Sequence, residues 1–153
     1  MEPKLTPIMK IDHPLGAIYH GMKASEDSFK GFGEAYFSNI HYAKVKGWKM
    51  HTKMVLNLVV PVGKIRFVVL KELLSKERNF DVTSDKLSDY ESWDFILGED
   101  NYQRLTVYPN TWMAFQGYGE GHNLLLNLAS IEHDPQEAVS MSLDSVDYDW
   151  SLI

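Results

Sequence analysis

The feature that most constrains this chain is the run from Val45 to Gly63, Val-Lys-Gly-Trp-Lys-Met-His-Thr-Lys-Met-Val-Leu-Asn-Leu-Val-Val-Pro-Val-Gly. Side chains along a strand alternate between two faces, so Lys49, His51, Lys53 and Asn57 share one face. Trp48, Met50, Met54, Leu56 and Leu58 share the other, which is apolar. A sheet built this way is either a solvated surface, with lysines protecting an edge, or the wall of a polar pocket inside a barrel. The residues alone leave both open.

Strand signals continue on either side. Gly16 to Met22 reads as a short strand, and Glu34 to Val45 as a longer one bounded by Gly31, Gly33 and Gly47. Pro61-Val62-Gly63 is a turn, after which Lys64 to Leu70 returns as strand. Trp93–Leu97, Gln103–Tyr108, Trp112–Phe115 and Asn123–Ala129 complete the set. Asp134-Pro135 places an N-cap and a first-turn proline before a short helix over His133 to Val139. Lys71 to Glu91 is polar and aperiodic, which predicts a long loop or lid with a helical turn near Leu73. Seven to nine short strands with almost no helix predict an all-β sandwich or barrel. The acidic tail from Asp144 to Trp150 carries Tyr148 and Trp150, aromatics expected to dock on the body or on a partner.

At 153 residues the expectation is one domain spanning 1–153. The absence of cysteine excludes disulfides and thiolate metal sites, and it suits a reducing cytosol. Met1-Glu2-Pro3-Lys4 has neither the basic nor the apolar region of a signal peptide, and no apolar run reaches the ~20 residues of a membrane span. The expected location is therefore cytoplasmic. A net charge of -6 argues against nucleic acid or an anionic membrane as partner, while leaving room for a local basic phosphate site.

Several segments together resemble a known family. Lys46-Gly47-Trp48-Lys49-Met50-His51, followed by Pro61-Val62-Gly63-Lys64-Ile65, looks like the first cupin motif. Ser28-Phe29-Lys30-Gly31-Phe32-Gly33-Glu34 is similar to the early R-G-x-F-x-E segment of the sugar-nucleotide cupins. His133-Asp134-Pro135-Gln136-Glu137 resembles their Y-x-P-x-x-E, and Tyr148-Asp149-Trp150 their aromatic-acidic C-terminal segment. Pro109 to Phe115 falls at the second cupin motif. The chain thus resembles the dTDP-4-dehydrorhamnose 3,5-epimerase family and the related 3,4-ketoisomerases from about Gly16 to Trp150.

That resemblance implies a cupin jelly-roll barrel, a homodimer, and a pocket for a nucleotide-linked 4-keto-6-deoxy-sugar, a dTDP-sugar above all, as used in polysaccharide or secondary-metabolite synthesis. It implies epimerase or isomerase chemistry without a cofactor, by proton transfer next to the ketone. It also implies contacts to the nucleotide from Lys30, Phe32, Glu34 and Lys46, with Arg104, Asn57 and Asn127 as further substrate-binding candidates. The departures are specific. The family's catalytic base falls on Lys49, its second-motif histidine on about Ala114, and its catalytic tyrosine near Asn127.

Among the residues that remain, His51 is the best base, since a free imidazole titrates near pH ~6.5. A charged Lys49 two residues away would favour neutral imidazole, and Lys49 could itself stabilise an enolate or act as a base if buried. Tyr36, Tyr42, Tyr102 and Tyr108 are candidate acids, and nothing in the sequence selects among them. No metal is expected, because His51 is the one ligand kept from the metal-binding cupin set. His20, His41, His122 and His133 read as structural or surface residues. The alternative is a non-catalytic sugar- or sugar-nucleotide-binding cupin, favoured by the replacements at Lys49, Ala114 and Asn127. A cupin enzyme acting on a free sugar or small acid is a third reading.

Overall fold

Turn residues cut the chain into short strands, and those strands pair almost entirely antiparallel. The computed structural model describes residues 1–73 and 85–152. The strands are β1 (Lys4–Pro7), β2 (Lys10–Ile11), β3 (Ile18–Tyr19), β4 (Glu34–Asn39), β5 (Val45–His51), β6 (Leu56–Val62) and β7 (Lys64–Glu72). They continue as β8 (Asp85–Lys86), β9 (Tyr90–Gly98), β10 (Gln103–Val107), β11 (Trp112–Gly117), β12 (Leu124–Ala129), β13 (Ala138–Ser140) and β14 (Val146–Asp147). Two five-stranded sheets form the body, in the orders β1-β10-β6-β12-β4 and β13-β5-β11-β7-β9. Among the described residues there is no α-helix, only 3₁₀ turns at Leu87–Asp89 and Leu143–Ser145. The architecture is an all-β cupin jelly roll.

The main core lies between the sheets, where Met54, Leu58 and Val60 meet Ile65, Phe67, Val69, Leu97, Leu105 and Leu125. A second cluster, Trp48, Val68, Leu70, Trp112 and Ala114, covers the outer face of the second sheet. Strand β7 is therefore buried on both faces, which is why Ile65 to Leu70 reads as an almost unbroken apolar run. Its one charged member, Arg66, lies under the C-terminal tail. It forms a two-pronged pair with Asp94, Nη2 to Oδ2 at 2.8 Å and Nε to Oδ2 at 3.0 Å.

The tail docks over this cluster, as its aromatics predict. Tyr148 and Trp150 pack together at 4.6 Å and lie against Trp48, and Gln116 Nε2 donates to the Trp150 carbonyl at 2.8 Å. Burial and a 2.5 Å hydrogen bond to Asp94 push the Tyr148 phenol up to about 12. Its proton is thus held more tightly in the folded protein than in the unfolded chain. The stability this adds is full below about pH 10 and is lost as pH rises from there towards 12. Melting curves over that range should fall more steeply for the wild type than for Tyr148→Phe; equal slopes would mean that the phenol does not hold the tail.

Several sequence expectations need correction. The strand expected over Glu34 to Val45 ends at Asn39, with Val45 opening β5, and Pro61 and Val62 belong to β6, so the break before β7 is at Gly63. The run from Val45 to Gly63 is two strands in different sheets, because the chain turns over residues 52–55 between β5 and β6. Lys53 and Asn57 therefore leave the face shared by Lys49 and His51. Nor is β5 an edge, since it lies between β13 and β11. No helix follows Asp134-Pro135: the Glu137 N–H bonds back to the Asp134 carbonyl at 3.1 Å for a single turn, and Ala138 then pairs with His51. Of the predicted 71–91 loop, Lys71 and Glu72 belong to β7 and Tyr90 opens β9. Residues 74–84 lie outside the described residues.

Candidate functional site

The site is set by an irregularity in β5. Lys49 pairs with Met113 of β11, yet Lys46 pairs with Phe115, so β5 carries one residue more than its partner. The extra residue is at Gly47, where a Cβ would stand 2.3 Å from that of Ala114. This bulge resets the alternation. Without it Lys46 and Lys49 would face opposite ways; with it, Lys46, Lys49 and His51 all line one cavity.

That cavity, of about 290 Å³, lies between the two sheets. One wall is Lys46, Lys49 and His51 of β5 with Met113 and Phe115 of β11. The other is Tyr36 and Ser38 of β4, Leu56 and Leu58 of β6, Val107 of β10, and Leu125 and Asn127 of β12. Lys46 and Lys49 are exposed at the mouth, and Lys46 Nζ donates to the Asn39 carbonyl at 2.6 Å. His51 lies deeper, 7% exposed.

His51 is held by a carboxylate. Its Nδ1 hydrogen-bonds Glu137 Oε1, and Glu137 is 3% exposed. The other oxygen, Oε2, accepts the backbone N–H groups of Thr52, Lys53 and Met54 at 3.1, 3.0 and 3.2 Å. Burial works against the charged carboxylate. The His51 contact and the N–H groups of Lys53 and Met54 outweigh it, so Glu137 stays below the usual carboxylate range. An ionised carboxylate only accepts, which places the imidazole proton on Nδ1 and leaves the Nε2 lone pair free. The backbone of His51 is fixed as well, its carbonyl accepting from Asn110 N–H at 2.7 Å. The result is an imidazole held in one orientation at the cavity wall.

The structure brings together Lys46, Lys49, His51 and Asn127 from the sequence candidates. It places the others elsewhere. Leu56 and Leu58 face inward, so Asn57 points to the outer face of the first sheet, as Arg104 does. There Arg104, wholly buried, donates to Asn57 Oδ1 at 3.1 Å, Gly21 O at 2.8 Å, and Glu26 Oε2 and Ser28 Oγ at 2.6 Å. It clamps the segment around 21–28 over the sheet and does not reach the cavity. Lys30 and Phe32 lie outside the cavity and are exposed, Phe32 by 65%, while Glu34 Oε1 accepts the His133 N–H at 2.9 Å.

Of the four tyrosines weighed as acids, Tyr36 alone lines the cavity. Tyr102 donates to the His20 carbonyl at 2.7 Å instead. Glu137 was visible in the sequence only as part of a motif, 86 residues from the histidine it orients. Among the described residues, no group of three histidine or acidic side chains stands together as a metal site, and no helix is long and apolar enough to cross a membrane.

An antiparallel jelly roll with a cavity between its sheets, apolar in much of its lining and polar at Lys46, Lys49, His51, Tyr36 and Asn127, is the architecture of a cupin, and solved structures share it. The chain superposes on a dTDP sugar isomerase from Desulfovibrio desulfuricans G20 with a TM-score of 0.83 and 26% identity, covering 97% of this chain and 90% of that one. It matches a dTDP-4-dehydrorhamnose 3,5-epimerase from Elizabethkingia anophelis NUHP1 with a TM-score of 0.71 and 10% identity, over 99% and 82% of the two chains. It also matches QdtA, a sugar 3,4-ketoisomerase from Thermoanaerobacterium thermosaccharolyticum in complex with TDP, with a TM-score of 0.68 and 17% identity, over 90% and 86%. The resemblance carried by the motifs is thus borne out in the neighbours of the fold. No protein-family model matches the sequence, and no curated protein matches it.

Proposed function

We propose that the protein is a cofactor-free epimerase or isomerase acting next to the keto group of a dTDP-linked 4-keto-6-deoxy-sugar. The observation that carries this reading is the His51–Glu137 pair in the cavity wall. A carboxylate that fixes the tautomer of a cavity-facing imidazole favours proton abstraction from carbon, because it keeps a basic nitrogen aimed at the substrate. His51 is the base. Lys49, on the same strand and at the mouth, supplies positive charge for the oxygen of the enolate.

Size and charge support a nucleotide-linked substrate. About 290 Å³ is near the lower end for ligand pockets, enough to enclose a sugar while the nucleotide stays at the mouth. Lys46 and Lys49 stand there as cations for a diphosphate in a protein of net charge -6. The reading includes a homodimer, which gives the exposed rings of Phe32 and of Phe37, on the edge strand β4, a partner surface. It offers Lys30, Phe32 and Glu34 a role at the nucleotide only through such an assembly.

The test is a thermal-shift panel of nucleotides and nucleotide-sugars on the wild type, His51→Ala and Lys49→Ala, over a range of protein concentrations. A ligand at ~100 Kd adds roughly 2.7 kcal/mol to the folded state, and a dimer melts higher as it is concentrated. A rise with dTDP that shrinks in Lys49→Ala, and a further rise with the dTDP-sugar that shrinks in His51→Ala, are the expected results. No response to any nucleotide would remove the substrate class, and a melting point independent of concentration would remove the dimer.

A further inference from the structure

Asn127 of β12 stands directly across the ladder from Tyr36 of β4. Its Oδ1 accepts the backbone N–H of Asn57 at 3.2 Å, which fixes the two ends of the amide. The NH₂ end is thereby turned to Tyr36, and Nδ2 donates to the phenol oxygen at 2.9 Å. A phenol oxygen that accepts at this contact keeps its own hydrogen for another partner. Among the described residues no acceptor takes that hydrogen, and both side chains line the cavity, on the sheet opposite His51 and Lys49.

We propose that Tyr36 is the proton donor of this cavity and that Asn127 is a positioning residue that keeps the phenol a donor, so that the reaction inverts the carbon it deprotonates. This rests on the proton-transfer reading above. His51 Nε2 takes the proton from the carbon beside the ketone. The C–H electron pair becomes the enolate double bond, and the carbonyl oxygen takes the negative charge beside Lys49. The Tyr36 O–H then breaks towards that carbon from the other face. The enolate pair forms the new C–H bond, the carbonyl returns, and a phenolate remains, held by the Asn127 N–H. Solvent returns a proton to the phenolate and accepts the one on the imidazolium.

Two substitutions test this, with a dTDP-linked 4-keto-6-deoxy-sugar in D₂O followed by NMR. Tyr36→Phe should still wash deuterium into the substrate with configuration retained, at within about 10-fold of the wild-type rate, while inverted product falls by at least ~100-fold. Asn127→Asp keeps the shape of the side chain, but its carboxylate accepts from the phenol and turns the hydrogen out of the cavity. The share of exchange events that end in inversion should therefore fall at neutral pH and recover as the pH drops and the introduced carboxyl takes up a proton, a dependence the wild type lacks, whatever the pH does to the His51 base that both outcomes share. In protein carrying ¹³Cζ-tyrosine, the Tyr36 resonance, assigned by its loss in Tyr36→Phe, should move in Asn127→Asp without any substrate. Inversion that survives Tyr36→Phe, exchange by the wild type without inverted product, or an unmoved resonance would each overturn the proposal. A moved resonance with no exchange by the wild type would instead overturn the reaction assigned to the cavity, and the donor role with it.

Discussion

Replacing Glu137 with glutamine is expected to lower proton abstraction on the order of 10⁴-fold while the nucleotide-sugar still binds. The reason is the asymmetry of its surroundings. Three backbone N–H groups, of Thr52, Lys53 and Met54, converge on one carboxylate oxygen, and an amide must turn its single carbonyl oxygen towards them. Its NH₂ then faces His51 Nδ1, which has to accept. The imidazole proton moves to Nε2, and the lone pair that served as base is gone. Loss of the correct tautomer in an intact site costs about 10⁴-fold in the serine-protease triad, the best comparison in kind. Exchange kinetics measure the effect, and ¹⁵N shifts of His51 report the tautomer without substrate. An activity within tenfold of wild type, with Nδ1 still protonated, would mean that Glu137 merely fills its place.

The same carboxylate links the site to stability. Because Glu137 is held below the usual carboxylate range, the stability it adds is present above that range and is lost as pH falls through its lowered value.

Arg104→Met is expected to give the largest loss of stability with no direct contact to the cavity. The guanidinium is wholly buried, and its removal takes the donor from the Gly21 carbonyl, Ser28 Oγ and the Glu26 carboxylate, while Asn57 Oδ1 keeps the Thr106 hydroxyl at 2.7 Å. Breaking a buried pair from one side costs roughly 3–5 kcal/mol, and with Glu26 partly open to solvent the lower end, about 3 kcal/mol, applies. Against a total of about 5–15 kcal/mol for a folded domain, that is a fifth or more of what holds the chain. Each kcal/mol lowers the melting point of a domain this size by about 2–4 °C, so a fall of order 10 °C follows. Urea unfolding measures it directly. A loss under 1 kcal/mol would show that the clamp over the first sheet is not needed for folding.

The strands were legible because their chemistry is local. Ile65 to Leu70 announces a strand buried on both faces, and Gly63 marks the break before it, although Pro61 and Val62 still belong to β6. The cap at Asp134-Pro135 was equally plain and was overruled, because pairing with β5 offered residues 138–140 more than a second helical turn could. At the site, the pairing of Lys49 and His51 needed only the two-residue period. Lys46 needed the bulge at Gly47, which depends on how closely Ala114 of another strand approaches. Asn57 was misread for the opposite reason, since the turn at 52–55 ended the alternation on which its placement rested. Glu137 and Arg104 lay beyond any local reading, as their partners are brought to them only by the fold.

The most direct measurement is solvent exchange. The wild type, His51→Ala and Glu137→Gln are each incubated with a dTDP-linked 4-keto-6-deoxy-sugar in D₂O, and deuterium at the carbon beside the ketone is followed by NMR. The account predicts catalysed incorporation by the wild type and almost none by either variant, with all three still binding the nucleotide. Tight binding by the wild type with no incorporation above the uncatalysed rate would contradict it, and would make the oriented histidine part of a binding site rather than a base.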